Sequence, residues 1–222
     1  MKKTTIIIDG RPFTYEDEID DIVYEVSKPI SIEDGLNLLK QTKLLFSNIN
    51  LDFYLAYGTL LGAIREKTII PGDEDVDVFT DDEQKLLNNL PYLYENNYKV
   101  CRINPGKLYS FRVNENAYID VYILRPFKFA IWKLYCYSLS NHATPKKYFK
   151  EYQDIQFLGE TFRCPKNPEK LIEFWYGKDW RQPKSGKKYY YEVPPAHYWR
   201  QFRNRISPMI KMIIGWKFWH KK

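Results

Sequence analysis

The stretch from Tyr57 to Phe79, Y-G-T-L-L-G-A-I-R-E-K-T-I-I-P-G-D-E-D-V-D-V-F, constrains this chain more than any other segment. A Gly-Thr pair ends one apolar run, and an alternating Asp-x-Asp-x-Asp pattern carries the next. Side chains at i and i+2 of a strand point to the same face, so Asp75 and Asp77 project together while Val76 and Val78 turn to the core. Two carboxylates a strand repeat apart repel each other unless something positive sits between them. A divalent cation resolves that repulsion, and a set of hard oxygen ligands selects Mg²⁺ or Mn²⁺. Asp73 shares the parity, although Gly72 indicates that the chain is still turning there. The competing reading is a solvated acidic turn at the start of a strand.

Neighbouring residues bear on that choice. Gly58-Thr59 falls where a strand meets a helix. Gly58 permits close backbone approach, Thr59 can serve as N-cap, and amides there would offer the positive end of a helix dipole to a phosphate. A tight strand-to-helix turn without a ligand is the alternative. Gly62 lies one helical turn later, where a missing side chain allows close packing. Arg65 is the cation nearest the acidic strand, able to clamp a phosphate or to pair with an aspartate. A further carboxylate, Asp120, is the single charge in the apolar run Tyr118-Ile119-Asp120-Val121-Tyr122. A lone buried acid is costly unless it meets a metal or a cation. Two aspartates on one strand and one on its neighbour make a two-metal site for in-line phosphoryl displacement.

The rest of the chain reads as a mixed αβ unit. Thr4–Ile8 predicts an edge strand or hairpin arm, and Tyr15–Asp21 reads as too polar for the core. Ser31-Ile32-Glu33-Asp34 has capping-box spacing, with Leu36, Leu39, Leu44 and Leu45 repeating at helical intervals through Asn48. Leu51–Tyr57 reads as a buried strand, Thr59–Glu66 as a short helix, Ile69–Pro71 as a turn and Asp75–Phe79 as a strand. Thr80-Asp81-Asp82-Glu83 caps a helix running to about Glu95. Tyr98–Ile103, Leu108–Val113 and Ala117–Leu124 form a β-meander, broken by Asn104-Pro105-Gly106 and Asn114-Glu115-Asn116. Helices are expected at Lys146–Asp154 and Pro168–Tyr176, followed by a basic loop at Lys184–Lys188. The expected fold class is α+β, a nucleotidyltransferase-like mixed sheet flanked by helices with a helical, basic C-terminal segment. The expected division is a catalytic domain over 1–183, its core about 31–183, and a basic aromatic tail over 184–222.

Composition limits the partners. At 222 residues the chain is long enough to bury a core without staples. Three scattered cysteines with no C-x-x-C pair argue against a disulfide framework or structural zinc and for a reducing setting. Asp9, Gly10 and Arg11 interrupt the first apolar run before it reaches signal-peptide length. No stretch approaches the roughly 20 apolar residues of a membrane span. A net charge of +6 with 17% aromatic residues suits a polyanion, an anionic membrane surface or a carbohydrate. None of His142, His197 and His220 sits in a metal or nucleophile pattern. The interleaved Arg, Lys, Ile, Trp and Phe of the tail from Trp199 to Lys222 fit an interfacial amphipathic helix or a helix docked on its own domain.

The blocks G-T-L-L-G-A-I-R, I-P-G-D-E-D-V-D-V and I-D-V-Y resemble the signature of the LicD/fukutin family within the nucleotidyltransferase-fold superfamily. F-L-G-E-T-F-R-C-P and W-Y-G-K-D-W-R-Q-P resemble that family's later pattern, and the likeness covers about Leu51 to Pro183. Gly72 stands where the family commonly has Trp. The resemblance implies transfer of a phospho-alcohol, such as phosphocholine or a polyol phosphate, from a CDP-activated donor to a glycan or lipid-linked sugar hydroxyl. It implies Asp73, Asp75, Asp77 and Asp120 as metal ligands, with Asp75, Asp77 and Asp120 catalytic and Gly58 and Thr59 as the phosphate turn, with Arg65 beside them. The expected setting is cytoplasmic, peripheral to the membrane if the tail is interfacial. Two other readings stand beside it: a nucleotidyltransferase moving an NMP unit to a small molecule or RNA, and an inactive binding module of the same fold. Nucleic acid is not the expected partner.

Overall fold

A computed structural model describes residues 2–17, 29–114, 117–128, 135–139 and 142–183. The basic tail expected over 184–222 lies outside the described residues, as do 18–21 of the acidic stretch. The chain divides into two compact units, Met1–Glu169 and Lys170–Lys222.

The first unit opens with a hairpin of β1 (Lys2–Ile8) and β2 (Arg11–Asp17). Its turn residues, Asp9 and Gly10, both have positive φ, as a two-residue turn matching strand twist requires. The expected arm at Thr4–Ile8 is therefore present. Tyr15, assigned to a segment too polar for the core, is instead only 4% exposed and stacks on Phe13 with ring centroids 5.9 Å apart. Its ring is an apolar body within an otherwise polar run.

Helix α1 (Ile32–Asn48) starts where the capping box predicts: the Ser31 hydroxyl accepts the Asp34 N–H at 3.0 Å. Gly35, Leu38, Leu39, Thr42, Leu45 and Phe46 are buried at helical spacing. Leu44 was expected on that face but is 62% exposed, because it lies about 100° round the helix from Leu45. The strand expected over Leu51–Tyr57 shrinks to β3 (Tyr54–Leu55). Tyr57 already opens α2 (Tyr57–Arg65), two residues earlier than the spacing predicts, with Ala56 rather than Thr59 as N-cap.

Strand β4 (Val76–Thr80) carries the alternating acids. The single helix expected to reach Glu95 is two, α3 (Glu83–Asn88) and α4 (Leu90–Glu95). Pro91 in the first turn of α4 lacks the N–H that would continue the α3 ladder. Asp82 rather than Thr80 caps α3, accepting the Lys85 N–H at 2.9 Å. The meander follows as β5 (Lys99–Asn104), β6 (Leu108–Asn114) and β7 (Ala117–Ile123).

These strands form one five-stranded sheet in the order β3-β4-β7-β6-β5, with β4 and β7 parallel and the other pairs antiparallel. One face is apolar. Val76, Val78, Val100, Phe111, Ile119 and Val121 are fully buried there, Phe111 stacks on Tyr98, and Phe46 of α1 meets Tyr98 edge-on. The opposite face carries Asp77, Asp120 and Ser110. Burial of the first face fixes the register, since a one-residue slip would put the aspartates into the hydrocarbon layer.

Beyond the sheet come β8 (Arg125–Lys128), β9 (Tyr135–Leu139) and β10 (His142–Pro145), a three-stranded antiparallel sheet. The helix expected over Lys146–Asp154 is only a 3₁₀ turn, Lys146–Phe149, followed by the hairpin of β11 (Tyr152–Phe157) and β12 (Glu160–Pro165). Leu158 and Gly159 join the two strands at φ 52° and 78°, the left-handed geometry of a tight hairpin. Helix α5 (Pro168–Tyr176) has the expected bounds and spans the division between the units. In the second unit Leu171, Ile172, Trp175 and Trp180 are buried.

Gly62 behaves as its spacing predicts: a β-carbon there would lie 2.5 Å from the Thr68 carbonyl oxygen. That oxygen is backbone and cannot swing aside. Gly62→Ala should therefore cost about 1–3 kcal/mol in chemical denaturation. An unchanged urea midpoint would contradict this close approach.

Candidate active site

The acids converge across two neighbouring strands. Asp77 of β4 lies in register with Asp120 of β7, and Asp75 precedes β4 by one residue, on the Asp77 side. Asp75, Asp77 and Asp120 each offer a carboxylate oxygen within 4.8 Å of the other two. Asp73 joins from the turn: a β-carbon on Gly58 would stand 2.9 Å from Asp73 Oδ2 and 3.2 Å from Asp77 Oδ2. A side chain at 58 would therefore have to displace one or both of these carboxylates.

The start of α2 is latched onto β4. The Gly58 N–H donates to Asp77 Oδ2 at 3.0 Å, the Asp77 N–H to Thr59 Oγ1 at 2.8 Å, and the Ala56 N–H to the Asp77 carbonyl at 3.1 Å. Thr59 therefore braces the acidic strand through its hydroxyl and does not cap the helix. Arg65 pairs through Nε with Glu66 Oε1 at 2.6 Å, and its charge partly offsets the burial that raises the pKa of Asp73.

Sequence reasoning missed a second group of residues. Arg102 Nη2 donates to both oxygens of Asp120, at 2.9 and 2.8 Å, and Arg102 Nε donates to Ser110 Oγ at 2.9 Å. The Ser110 hydroxyl in turn donates to Asp120 Oδ1 at 2.5 Å. These residues form one row across the sheet, because Arg102 faces Ser110, Ser110 faces Asp120, and Asp120 faces Asp77 in successive strand pairs. Arg102 reaches that row through a register shift between Val100 and Arg102. Without this bulge the ladder would set Cys101 opposite Ser110. Nothing in the local sequence signals the shift.

Tyrosines wall the cluster. Tyr118 and Tyr122 flank Asp120 at i−2 and i+2 on the same strand, and the Tyr122 side chain hydrogen-bonds Asp120. Tyr57 meets the Tyr122 ring edge-on at 4.9 Å and donates its hydroxyl to the Leu139 carbonyl at 2.8 Å. The two-residue period of the Tyr118-x-Asp120-x-Tyr122 run carried this signal.

Electrostatics makes the cluster costly without a cation. Burial raises the pKa of Asp75 and Asp77 well above the usual range, and the surrounding carboxylates raise them further; the Gly58 N–H opposes this at Asp77. Burial also pushes Asp73 up to about 6, with Arg65 opposing. Asp120 is raised by burial, against the combined pull of Arg102, Ser110 and Tyr122. The donor set is all oxygen, anionic and convergent, and it fits a hard divalent ion such as Mg²⁺ or Mn²⁺.

A raised carboxyl pKa means that the folded state binds protons more tightly than the unfolded chain, so stability falls as pH climbs above about 4. In EDTA, the wild-type melting temperature should drop relative to an Asp75→Asn, Asp77→Asn variant between pH 4 and 7. Saturating Mg²⁺ should remove that relative drop. Parallel pH profiles in EDTA would contradict the mutual repulsion of these acids.

Comparison with known proteins bears on the family and the fold. Residues 50–167, just over half the chain, match the family model described as LicD/FKTN/FKRP, nucleotidyltransferase domain. An uncharacterised Rickettsia prowazekii (strain Madrid E) protein, RP689, is 31% identical over 97 residues, covering 39% of this chain and 36% of that protein. Another from Rickettsia typhi (strain ATCC VR-144 / Wilmington), RT0683, is 36% identical over 74 residues, 32% of this chain and 23% of the relative. The chain thus spans about a third or less of the curated relatives it matches. The solution structure of the antibiotic-resistance factor ANT(2'')-Ia aligns with 83% of this chain and all of its own, at a TM-score of 0.50 and 12% identity, a likeness of fold. The lincomycin-bound lincosamide adenylyltransferase LnuA covers 65% of this chain and 85% of its own at 13% identity and a TM-score of 0.43. The fold is α+β with a nucleotidyltransferase-like mixed sheet, and the chain belongs to the LicD/FKTN/FKRP nucleotidyltransferase domain family.

Proposed function

We propose that this protein transfers a phospho-alcohol from a CDP-activated donor to a glycan or lipid-linked sugar hydroxyl, using Mg²⁺ or Mn²⁺. One observation carries the reading: the convergence of Asp75, Asp77 and Asp120 from two adjoining strands, within a domain of the LicD family. Asp75, Asp77 and Asp120 would hold the ion, with Asp73 beside them. When bound, the ion would neutralise the donor's pyrophosphate and the charge that grows on the departing CMP.

The chain's own residues do the rest. Gly58 keeps the start of α2 close to the acids, leaving room for phosphate oxygens that a side chain would fill. Thr59 fixes the height of β4 against α2, and in this reading the first turn of α2 lies along the phosphates. Arg65 adds positive charge at the Asp73 side. Tyr57, Tyr118 and Tyr122 restrict water around the carboxylates, which strengthens every charge interaction there. The attacking hydroxyl loses its proton to a carboxylate oxygen of the cluster or to solvent as its oxygen–phosphorus bond forms and the bond to CMP breaks. No described helix is long and apolar enough to cross a membrane. Our reading keeps the reaction at the cytoplasmic side, where CDP-activated donors are made.

The test is release of CMP from CDP-choline or a CDP-polyol in the presence of Mg²⁺ or Mn²⁺. CMP release that needs the divalent ion supports the reading. Incorporation of the α-phosphate label of a nucleoside triphosphate into an acceptor, without CMP release from CDP-alcohols, would replace it with NMP transfer.

A further inference from the structure

We infer that the acceptor is an acidic sugar, one bearing a carboxylate or a phosphate, and that Arg112 of β6 anchors its anion beside the acid cluster. This deepens the proposed function and rests on its placing of the donor.

The acidic face of the sheet carries a second row of side chains. Lys99 of β5 faces Arg112 of β6, and Arg112 faces Tyr118 of β7. Asp75, the residue before Val76, continues the row from the pairing of Val76 with Ile119. It runs beside the row of Arg102, Ser110, Asp120 and Asp77, one strand repeat away. The two rows differ in how their cations are matched. Arg102 is paired with Asp120, and Arg65 at the α2 side with Glu66. Lys99 and Arg112 instead stand directly opposite each other, an arrangement that destabilises a strand pair. Neither is paired with a carboxylate among the described residues. Lys99 is drawn to the Tyr94 ring, its Nζ 4.2 Å from the centroid, which leaves Arg112 as the unmatched cation.

Arg112 Nε is buried and has no hydrogen-bond partner, although the residue as a whole is only partly buried. A donor shut off from water and left unpaired costs about as much as a lost hydrogen bond. A carboxylate or phosphate taken by the guanidinium fork would satisfy that donor and relieve the facing charges. Arg102 shows the reach of such a side chain, since from β5 it spans two strand spacings to hold Asp120 on β7. Arg112 starts one strand nearer, so the same span ends over β4 at Asp75. Its anion therefore lies on the β6 side of the acids. In the proposed reading the donor's phosphates lie on the other side, along the first turn of α2, where the Gly58 N–H is latched to Asp77. In-line displacement brings the attacking hydroxyl from the side opposite the leaving group. Arg112 thus meets the acceptor and not the donor.

The experiment follows the Arg112 Nε–H resonance by NMR in the intact protein saturated with Mg²⁺ and CDP, so that the donor side is filled. Its peak is the one missing from Arg112→Lys. Glucuronate and glucose 6-phosphate are the probes, and the stronger response of the two tells a carboxylate from a phosphate. At least one of them should shift the resonance, whereas glucose should leave it in place. Arg112→Gln should weaken binding of that acidic sugar about 10–100-fold and leave the affinity for CDP with Mg²⁺ unchanged. A shift on adding Mg²⁺ and CDP that neither acidic sugar extends would assign Arg112 to the donor and overturn the inference. Equal shifts with glucose, or none with any probe, would overturn it as well. If Arg112→Gln does not fold, the wild-type shifts decide alone. Shifts as expected without CMP release from any CDP-alcohol would sink the proposed reaction and leave the acidic-sugar site standing.

Discussion

Asp77→Asn should lower CMP release by at least roughly 10²–10³-fold, with most of the loss in kcat. Asparagine keeps the shape of the side chain and an oxygen that can still accept the Gly58 N–H. It loses the negative charge that, with Asp75 and Asp120, would hold the ion. The same change removes a buried carboxylate repelled by Asp75, Asp120 and Asp73. In EDTA, the variant should therefore melt at or above the wild-type temperature while its activity collapses. That opposition separates a functional site from a structural one. A variant that lost activity and folding together would indicate that Asp77 is there to hold the sheet.

Phe111→Ala should cost about 3–5 kcal/mol, a large share of the roughly 5–15 kcal/mol that keeps a domain folded. Phe111 is fully buried on β6, one strand from the edge of the sheet, with Tyr98 stacked against it at 4.8 Å. The Tyr98 hydroxyl is itself tied to Thr42 of α1 at 2.6 Å, so the cavity would open between helix and sheet where little can collapse into it. Leu44→Ala, 62% exposed on the outer side of α1, is the control and should shift stability by less than about 0.5 kcal/mol. Urea unfolding of the two variants reads both values. Equal, small shifts would contradict the placing of Phe111 in the core between sheet and α1 and of Leu44 outside it.

Much of this protein is legible from periodicity. Alternation placed Asp75 and Asp77 on one face and the valines on the other, and the capping box located the start of α1. The meander β5–β7 followed from its turn residues. What failed was local preference overruled by tertiary pairing. Lys146–Asp154 has helix-forming residues, but Tyr152–Phe157 alternates and finds a partner strand across the Leu158-Gly159 turn. Thr59 looks like an N-cap, yet its hydroxyl is taken by the Asp77 N–H from a strand 18 residues away. Arg102 was invisible for a geometric reason. A bulge shifts which face its side chain takes, and no residue type announces the bulge in advance. The site was thus readable as a set of acids, while the cation that completes Asp120 emerges only once the strands are in register.

The most direct test of the acid centre is the anomalous scattering of Mn²⁺ in crystals of the protein grown or soaked with the ion and CDP. The account predicts a peak coordinated by oxygens of Asp75, Asp77 and Asp120, with the diphosphate on its open side. A peak elsewhere on the molecule, or carboxylates of β4 and β7 that share no ion, would contradict it.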